Sequence, residues 1–160
     1  MEICMKINWK KLIIAVAIPL ATGALSAWLA KNGMKNFAAS VKQPPLSPPM
    51  WLFPIVWTIL FLLMGIASYL VQKKSCGTKA LSLYATQLVF NFWWSIWFFN
   101  LEWYLFAFVW LICLWVLILA TTISFHKIDK TAGYLMIPYL LWVTFAGYLN
   151  LAVFICNLHS

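Results

Sequence analysis

The sequence predicts an all-α integral membrane protein, one domain over residues 1–160 built as a bundle of five transmembrane helices. Three observations lead there. Of the 160 residues 65% are hydrophobic and only 9% are charged, against about 25% charged in an ordinary soluble domain. Mean hydropathy is +0.91. Five apolar runs approach the ~20 residues that a helix needs to cross the hydrocarbon core. Fourteen charges, eleven lysines and three acids, cannot cover a globule in water, so the solvent is lipid. A soluble enzyme, a disordered chain and a nucleic-acid module are excluded.

The first span covers residues 12–30, opening after Lys10 and Lys11 and closing at Lys31. The second, residues 51–71, follows a proline-rich loop and ends before Lys73 and Lys74. The third (80–100) and fourth (103–125) are separated only by Leu101 and Glu102, and the fifth (131–158) follows a short link, residues 126–130. Of the connections, only 31–50 is long enough for structure of its own. It contains Gln43-Pro44-Pro45-Leu46-Ser47-Pro48-Pro49, stiff, extended and poor in donors. Such a loop suits a lid over the bundle mouth, and a plain spacer explains it equally.

An odd number of spans puts the termini on opposite sides. Lys6, Lys10, Lys11, Lys73, Lys74, Lys79, Lys127 and Lys130 then share one side, and Lys31, Lys35 and Lys42 the other. The positive-inside rule predicts a cytoplasmic N-terminus with loop 31–50 outside. Lysines ahead of an apolar run also outline a signal peptide, but residues 12–30 exceed the ~7–15 of an h-region, which favours a retained helix. Five helical spans favour the bacterial cytoplasmic membrane. Cys4, Cys76, Cys113 and Cys156 show no CxxC spacing, which argues against a disulfide framework or a metal site.

No Lys, Asp or Glu lies deep in a span, which counts against ion-coupled transporters, pumps and voltage sensors. His126 and His159 sit near span ends with no carboxylate or thiol at catalytic spacing, and read as solvated interfacial residues. The spans carry aromatics instead: 18% of the chain, with eleven Trp. On the third, Tyr84, Gln87, Asn91, Trp94 and Phe98 follow steps of three and four that stack them on one helical face. Amides in hydrocarbon need partners, so this face points inward, as interhelical glue at about 0.6 kcal/mol per bond or as the polar handle of an aromatic pocket. The fifth span repeats the pattern with Tyr139, Trp142, Ala146 and Asn150, directly after Pro138, which frees a backbone carbonyl one turn earlier. On the second, Trp51, Pro54, Thr58 and Phe61 lie along one side with Trp57 pointing elsewhere. Trp28, Trp110 and Trp115 read as belt or lipid-facing residues. Gly23 with Ala27, and Gly65 with Ala67 and Ser68, permit close helix approach.

Taken in order, these segments resemble the tryptophan-rich sensory protein / translocator protein (peripheral-type benzodiazepine receptor) family, TspO/MBR. The resemblance rests on Pro48-Pro49-Met50-Trp51, Val56-Trp57-Thr58, Met64-Gly65, Tyr84, Gln87-Leu88, Asn91, Trp94, Phe98-Phe99, Ala120-Thr121-Thr122, Pro138-Tyr139-Leu140, Trp142, Phe145 and Leu149-Asn150. It implies a five-helix membrane fold, usually a homodimer, with a ligand cavity near the first loop. It also implies binding of porphyrins such as protoporphyrin IX and haem as ligands rather than required cofactors, and a part in regulating tetrapyrrole metabolism or stress. Carried over by residue, Trp51 is the loop-side wall of the pocket and Trp142 the wall from the fifth span. Asn91 is a polar pocket residue and Ala146 a small position where bulk alters binding. Pro48, Pro49, Phe61, Tyr84, Gln87, Trp94 and Tyr139 complete the expected ligand-binding set.

The chain departs from the family at Asn36 and Phe37, where Trp and Tyr are frequent, at Leu46, which replaces a loop Trp, and at Phe61, where the family has tyrosine. Leu151 and Ile155 replace the Tyr and Arg of the cholesterol-associated pattern, which is therefore unsupported. The leading function is a membrane sensor for porphyrin-like ligands. The alternatives are a light- and oxygen-dependent porphyrin-degrading enzyme working through Trp51 and Trp142, and a porphyrin transporter or efflux facilitator.

Overall fold

The computed structural model describes residues 6–74 and 77–159. They form five helices and no strand: α1 (Trp9–Ser40), α2 (Leu52–Gln72), α3 (Thr78–Ser95), α4 (Tyr104–Ile128) and α5 (Lys130–Cys156). Cys4 and Cys76 lie outside the described residues, and Cys113 and Cys156 are free and exposed.

Four helices, α1, α2, α4 and α5, are long and apolar enough to cross a membrane. This corrects the count of five equivalent spans. The helix that falls short is α3, where Thr78, Lys79, Gln87 and Asn91 interrupt an 18-residue stretch. Two of these, Gln87 and Asn91, face the interior, 0% and 4% exposed, so they lower hydropathy without meeting lipid. A five-residue π-helical turn, Ile96–Asn100, continues α3. It closes with Leu101 N donating to Ile96 O at 3.2 Å.

A second correction concerns α1, which runs ten residues beyond residue 30. Lys31, Asn32, Lys35 and Asn36 end the apolar run but not the helix, because none of them breaks it and Pro44 is the first residue that would. The free loop shrinks to residues 41–51. At the other end Asn8 caps α1, its Oδ1 accepting from Lys11 N at 3.2 Å. Asn8 N donates to Tyr69 Oη at 2.9 Å, tying the start of α1 to the end of α2.

The packing is inverted relative to a soluble protein. Ile14, Leu25, Ile59, Val109, Val116 and Leu141 are among many large apolar residues left exposed, while Ser26, Ser68, Gln87, Asn91, Thr121 and Asn150 are buried. A soluble monomer rarely tolerates so continuous an apolar exterior; lipid accepts it. Together with its four spans, this makes the chain an integral membrane protein. Small residues set the closest approach. A methyl group at Gly65 would stand 2.6 Å from Val16 Cα and 2.9 Å from Ala15 O, so α2 touches the α1 backbone there. Phe61 packs its ring directly over Gly23.

Trp110 and Trp115 do more than face lipid. Trp110 Nε1 donates to Phe90 O at 2.8 Å and Trp115 Nε1 to Thr144 Oγ1 at 2.8 Å, pinning α4 to α3 and α5. Trp28 is 61% exposed, with Lys31 Nζ 5.8 Å from its ring centre. Asp129 caps α5 by accepting from Ala132 N at 3.0 Å and lies 3.8 Å from Lys74 Nζ. Asp129→Ala should therefore lower stability by about 1 kcal/mol, roughly 2–4 °C in a detergent melt. Asp129→Asn, which keeps the cap, should recover most of that because the ion pair is half-exposed.

Candidate functional site

The end of the bundle that carries loop 41–51 encloses a cavity of about 170 Å³. Four helices build its wall and α4 contributes none of it. From α1 come Gly23, Ser26, Ala27, Met34 and Phe37; from α2, Phe53, Pro54, Trp57 and Phe61. Asn91, Trp94 and Ser95 of α3, then Phe98 and Phe99 of the π turn, form the opposite side. Ala146, Leu149, Asn150 and Val153 of α5 complete it, and Gln43, Ser47 and Met50 of the loop lie over it. The π turn matters because its wider register brings two successive residues, Phe98 and Phe99, to one cavity. Small residues on α1 and Ala146 on α5 leave the volume that the aromatic side chains frame.

The aromatic wall is interlocked. Trp57 stacks on Phe61 (centroids 5.6 Å, 29°) and meets Tyr139 edge-on at 6.2 Å. Trp94 stacks on Phe98 at 5.3 Å, and Phe37 touches Phe98 at 5.3 Å and Phe99 at 5.4 Å. Each ring is held by a second, so the wall is preorganised for a flat apolar ligand.

The polar groups are bonded in two chains. Asn91 Nδ2 donates to Tyr139 Oη at 2.8 Å, Tyr139 Oη to Gln87 Oε1 at 2.7 Å, and Gln87 Nε2 to Met64 Sδ at 3.7 Å. Separately, Trp94 Nε1 donates to Asn150 Oδ1 at 3.1 Å and Asn150 Nδ2 to Tyr104 O at 2.8 Å. No lining residue is acidic, basic or a histidine. Among the described residues no three His, Cys, Asp or Glu side chains converge. The site offers stacking surface and neutral hydrogen bonds, with no acid–base pair.

Of the residues singled out in the sequence, Phe61, Asn91, Trp94 and Ala146 line the cavity. Gln87 and Tyr139, both 0% exposed, stand behind Asn91. Tyr84 packs on Phe125 of α4 at 5.7 Å, away from the cavity. Trp142 is half-buried in the α2–α5 seam, 5.8 Å from Phe53 and 5.6 Å from Phe145, and is not among the lining residues. Trp51 is 66% exposed, outside the cavity, and Pro48 and Pro49 do not line it. On α2 the indole facing the cavity is Trp57, which the sequence reading had turned away. Pro54, Trp57 and Phe61 are spaced by three and four, the helical signal that would have found it.

The loop is clipped to α5. Asn157 brackets Lys42, accepting from its N and donating to its O at 3.2 Å each, and Tyr148 Oη donates to Pro45 O at 3.1 Å. Between them Ser47 N donates to Pro44 O at 3.3 Å, and Leu46 takes a positive φ of 67° to make the turn.

The same residues can be set beside known proteins. The model of the TspO/MBR family matches residues 15–155. The chain belongs to the TspO/MBR family. It is 35% identical over 150 residues to "Tryptophan-rich protein TspO" of Chlorobaculum tepidum, covering 91% of this chain and 95% of that one. The protein of the same name from Archaeoglobus fulgidus is 33% identical over 152 residues, 94% of this chain and 99% of its own. "Translocator protein" of Bos taurus is 32% identical over 147 residues, 89% and 87%. For this TspO/MBR protein the match spans all five helices, so cavity and loop both fall within it.

Proposed function

We propose that this TspO/MBR protein is a membrane sensor that binds a porphyrin-like ligand, with the metal-free macrocycle of protoporphyrin IX as the best candidate, and so regulates tetrapyrrole metabolism or stress. The observation that carries the proposal is the cavity between Trp57, Phe61, Trp94 and Phe98, lined by no titratable side chain. Such a wall suits recognition by stacking, and its lack of an acid–base pair favours binding over catalysis. Of the lining side chains only the thioethers of Met34 and Met50 could ligate haem iron, with no His, Cys or Tyr beside them, which favours the metal-free ring.

Size and charge constrain the pose. Drug-sized ligands occupy pockets of about 300–1,000 Å³, so a macrocycle entering a space of about 170 Å³ has to displace loop 41–51. Its carboxylates find no cation inside and, because an unpaired charge is costly there, remain at the loop end. The wider setting is proposed on the same footing: α3 with its π turn as a fifth crossing, a cytoplasmic N-terminus in a bacterial cytoplasmic membrane, and a homodimer. The lysine asymmetry between the two ends supports the orientation.

The test is a titration of detergent-purified protein with protoporphyrin IX in the dark, following tryptophan emission and porphyrin absorption. Saturable binding that Trp57→Ala weakens about tenfold is expected; absence of saturation overturns the proposal. Illumination that turns the bound ring into one discrete product would replace the sensor reading with the enzymatic one.

A further inference from the structure

We infer that the seam between α1 and α2 at the lysine-rich end of the bundle binds an anionic phospholipid, its phosphate among Lys10, Lys11 and Lys73 and its acyl chains along the aliphatic stripes below them. The site lies at the opposite end from the cavity mouth and stands independently of what the cavity holds.

The helix order brings the start of α1, the end of α2, the start of α3 and the α4–α5 turn to one end. Each contributes lysine: Lys10 and Lys11, Lys73 and Lys74, Lys79, then Lys127 and Lys130. Among the described residues the one carboxylate at this end is Asp129, which caps α5 and lies 3.8 Å from Lys74 Nζ. The α4–α5 side is thereby partly neutralised. On the α1–α2 side no carboxylate among the described residues pairs with Lys10, Lys11 or Lys73. Tyr69 draws these three to one seam. Lys73 Nζ stands 5.5 Å from the centre of its ring, a cation–π contact. Its Oη accepts from Asn8 N at 2.9 Å, two residues before Lys10. Positive charge therefore flanks the seam from both helices. Like charges gathered this way repel one another, and a shared anion removes that cost.

What lies below the lysines identifies the carrier of the anion. Lys10, Ile14 and Ile18 follow steps of four along α1, and both isoleucines are exposed. Running back from Lys73, Ile66, Leu62 and Ile59 fall at steps of seven, four and three on one face of α2, and all three are exposed. Each helix thus presents a cation at the membrane edge and a bare aliphatic stripe descending from it. Trp9, 65% exposed beside Lys10, is a side chain suited to headgroup level. An acidic peptide, a nucleic acid or free phosphate answers the cations and leaves the stripes unused. A phospholipid of net negative charge carries phosphate and acyl chains in that order within one molecule, so it fits both. A zwitterionic lipid fits the stripes but sets its ammonium among the lysines.

The test is thermal unfolding of the full chain in a neutral detergent at low salt, with added phosphatidylglycerol or phosphatidylcholine of the same acyl chains. Phosphatidylglycerol should raise the midpoint by about 4 °C more than phosphatidylcholine does. Salt at about 0.5 M should remove roughly half of that difference or more. Lys10→Gln/Lys11→Gln/Lys73→Gln should bring the two lipids within about 1 °C, whereas Lys31→Gln/Lys35→Gln/Lys42→Gln at the loop end should keep them apart. Lys73→Gln alone should remove about a third of the difference, and serves if the first triple variant does not fold. Equal shifts for the two lipids in wild type overturn the inference. So does a preference that survives the α1–α2 substitutions or is lost equally in the loop-end variant. Polyglutamate reproducing the shift in lipid-free detergent would make this end a general polyanion surface and overturn it as well.

Discussion

Gly65→Val is expected to be among the most damaging single substitutions in the helical frame, lowering stability by about 3 kcal/mol, roughly 6–12 °C in a detergent melt. The reason is what the new side chain would meet. A Cβ at Gly65 lies 2.6 Å from Val16 Cα and 2.9 Å from Ala15 O. Both are main-chain atoms of α1, which cannot rotate away as a flexible side chain could. The two helices must separate, and Phe61, one turn along α2, then loses its seat over Gly23. Since Gly23 and Phe61 both line the cavity, ligand binding should fall along with stability. Gly65→Ala should lie between valine and wild type. A melt unchanged by valine would show that α1 and α2 are not in backbone contact at this level.

Ala146→Phe should separate what Gly65→Val confounds. Ala146 is 6% exposed and lies on the α5 wall of the cavity. A benzyl group there points into a space of about 170 Å³ framed by aromatic side chains, and one aromatic ring nearly fills a space of that size. Binding of protoporphyrin IX should weaken more than 100-fold. Stability should hold or rise by up to about 1 kcal/mol, because filling an apolar cavity restores lost contacts. The porphyrin titration and a thermal melt on the same preparation check this. Unchanged affinity would place the ligand elsewhere, and the Trp142 seam between α2 and α5 would be the next region to probe.

Much of the inner face of α3 was legible in advance. Tyr84, Gln87, Asn91, Trp94 and Phe98 are all buried, as their spacing predicts, because amides and indole N–H groups must find partners away from lipid. What spacing could not supply was direction along the bundle. Tyr84 shares that face but sits on Phe125 of α4, two turns below Asn91. The α2 face was misjudged because it was counted from Trp51, which precedes the helix and lies outside the cavity. Counting from Pro54 gives Trp57 and Phe61. The end of α1 was hidden for another reason: hydropathy reports where lipid stops, and Lys31 and Lys35 mark that level, while helicity continues to Ser40. The roles of Asn157 and Tyr148 in holding the loop depend on pairings more than 100 positions apart, and no local pattern announces them.

The overhang of α1 sets the depth at which a ligand must be sought. Gly23 lies against Phe61, nine residues from the start of α2, and the same rise along α1 ends near Asn32. The segment beyond, to Ser40, stands about 12 Å above the top of α2. Met34 and Phe37 in that segment still line the cavity, so its upper part lies at headgroup level while Gly23 and Phe61 reach down into hydrocarbon. A ligand seated there after displacing loop 41–51 would have its oily body at hydrocarbon depth and its polar end among the headgroups. Affinities measured in detergent and in bilayers of different lipid composition are therefore expected to differ.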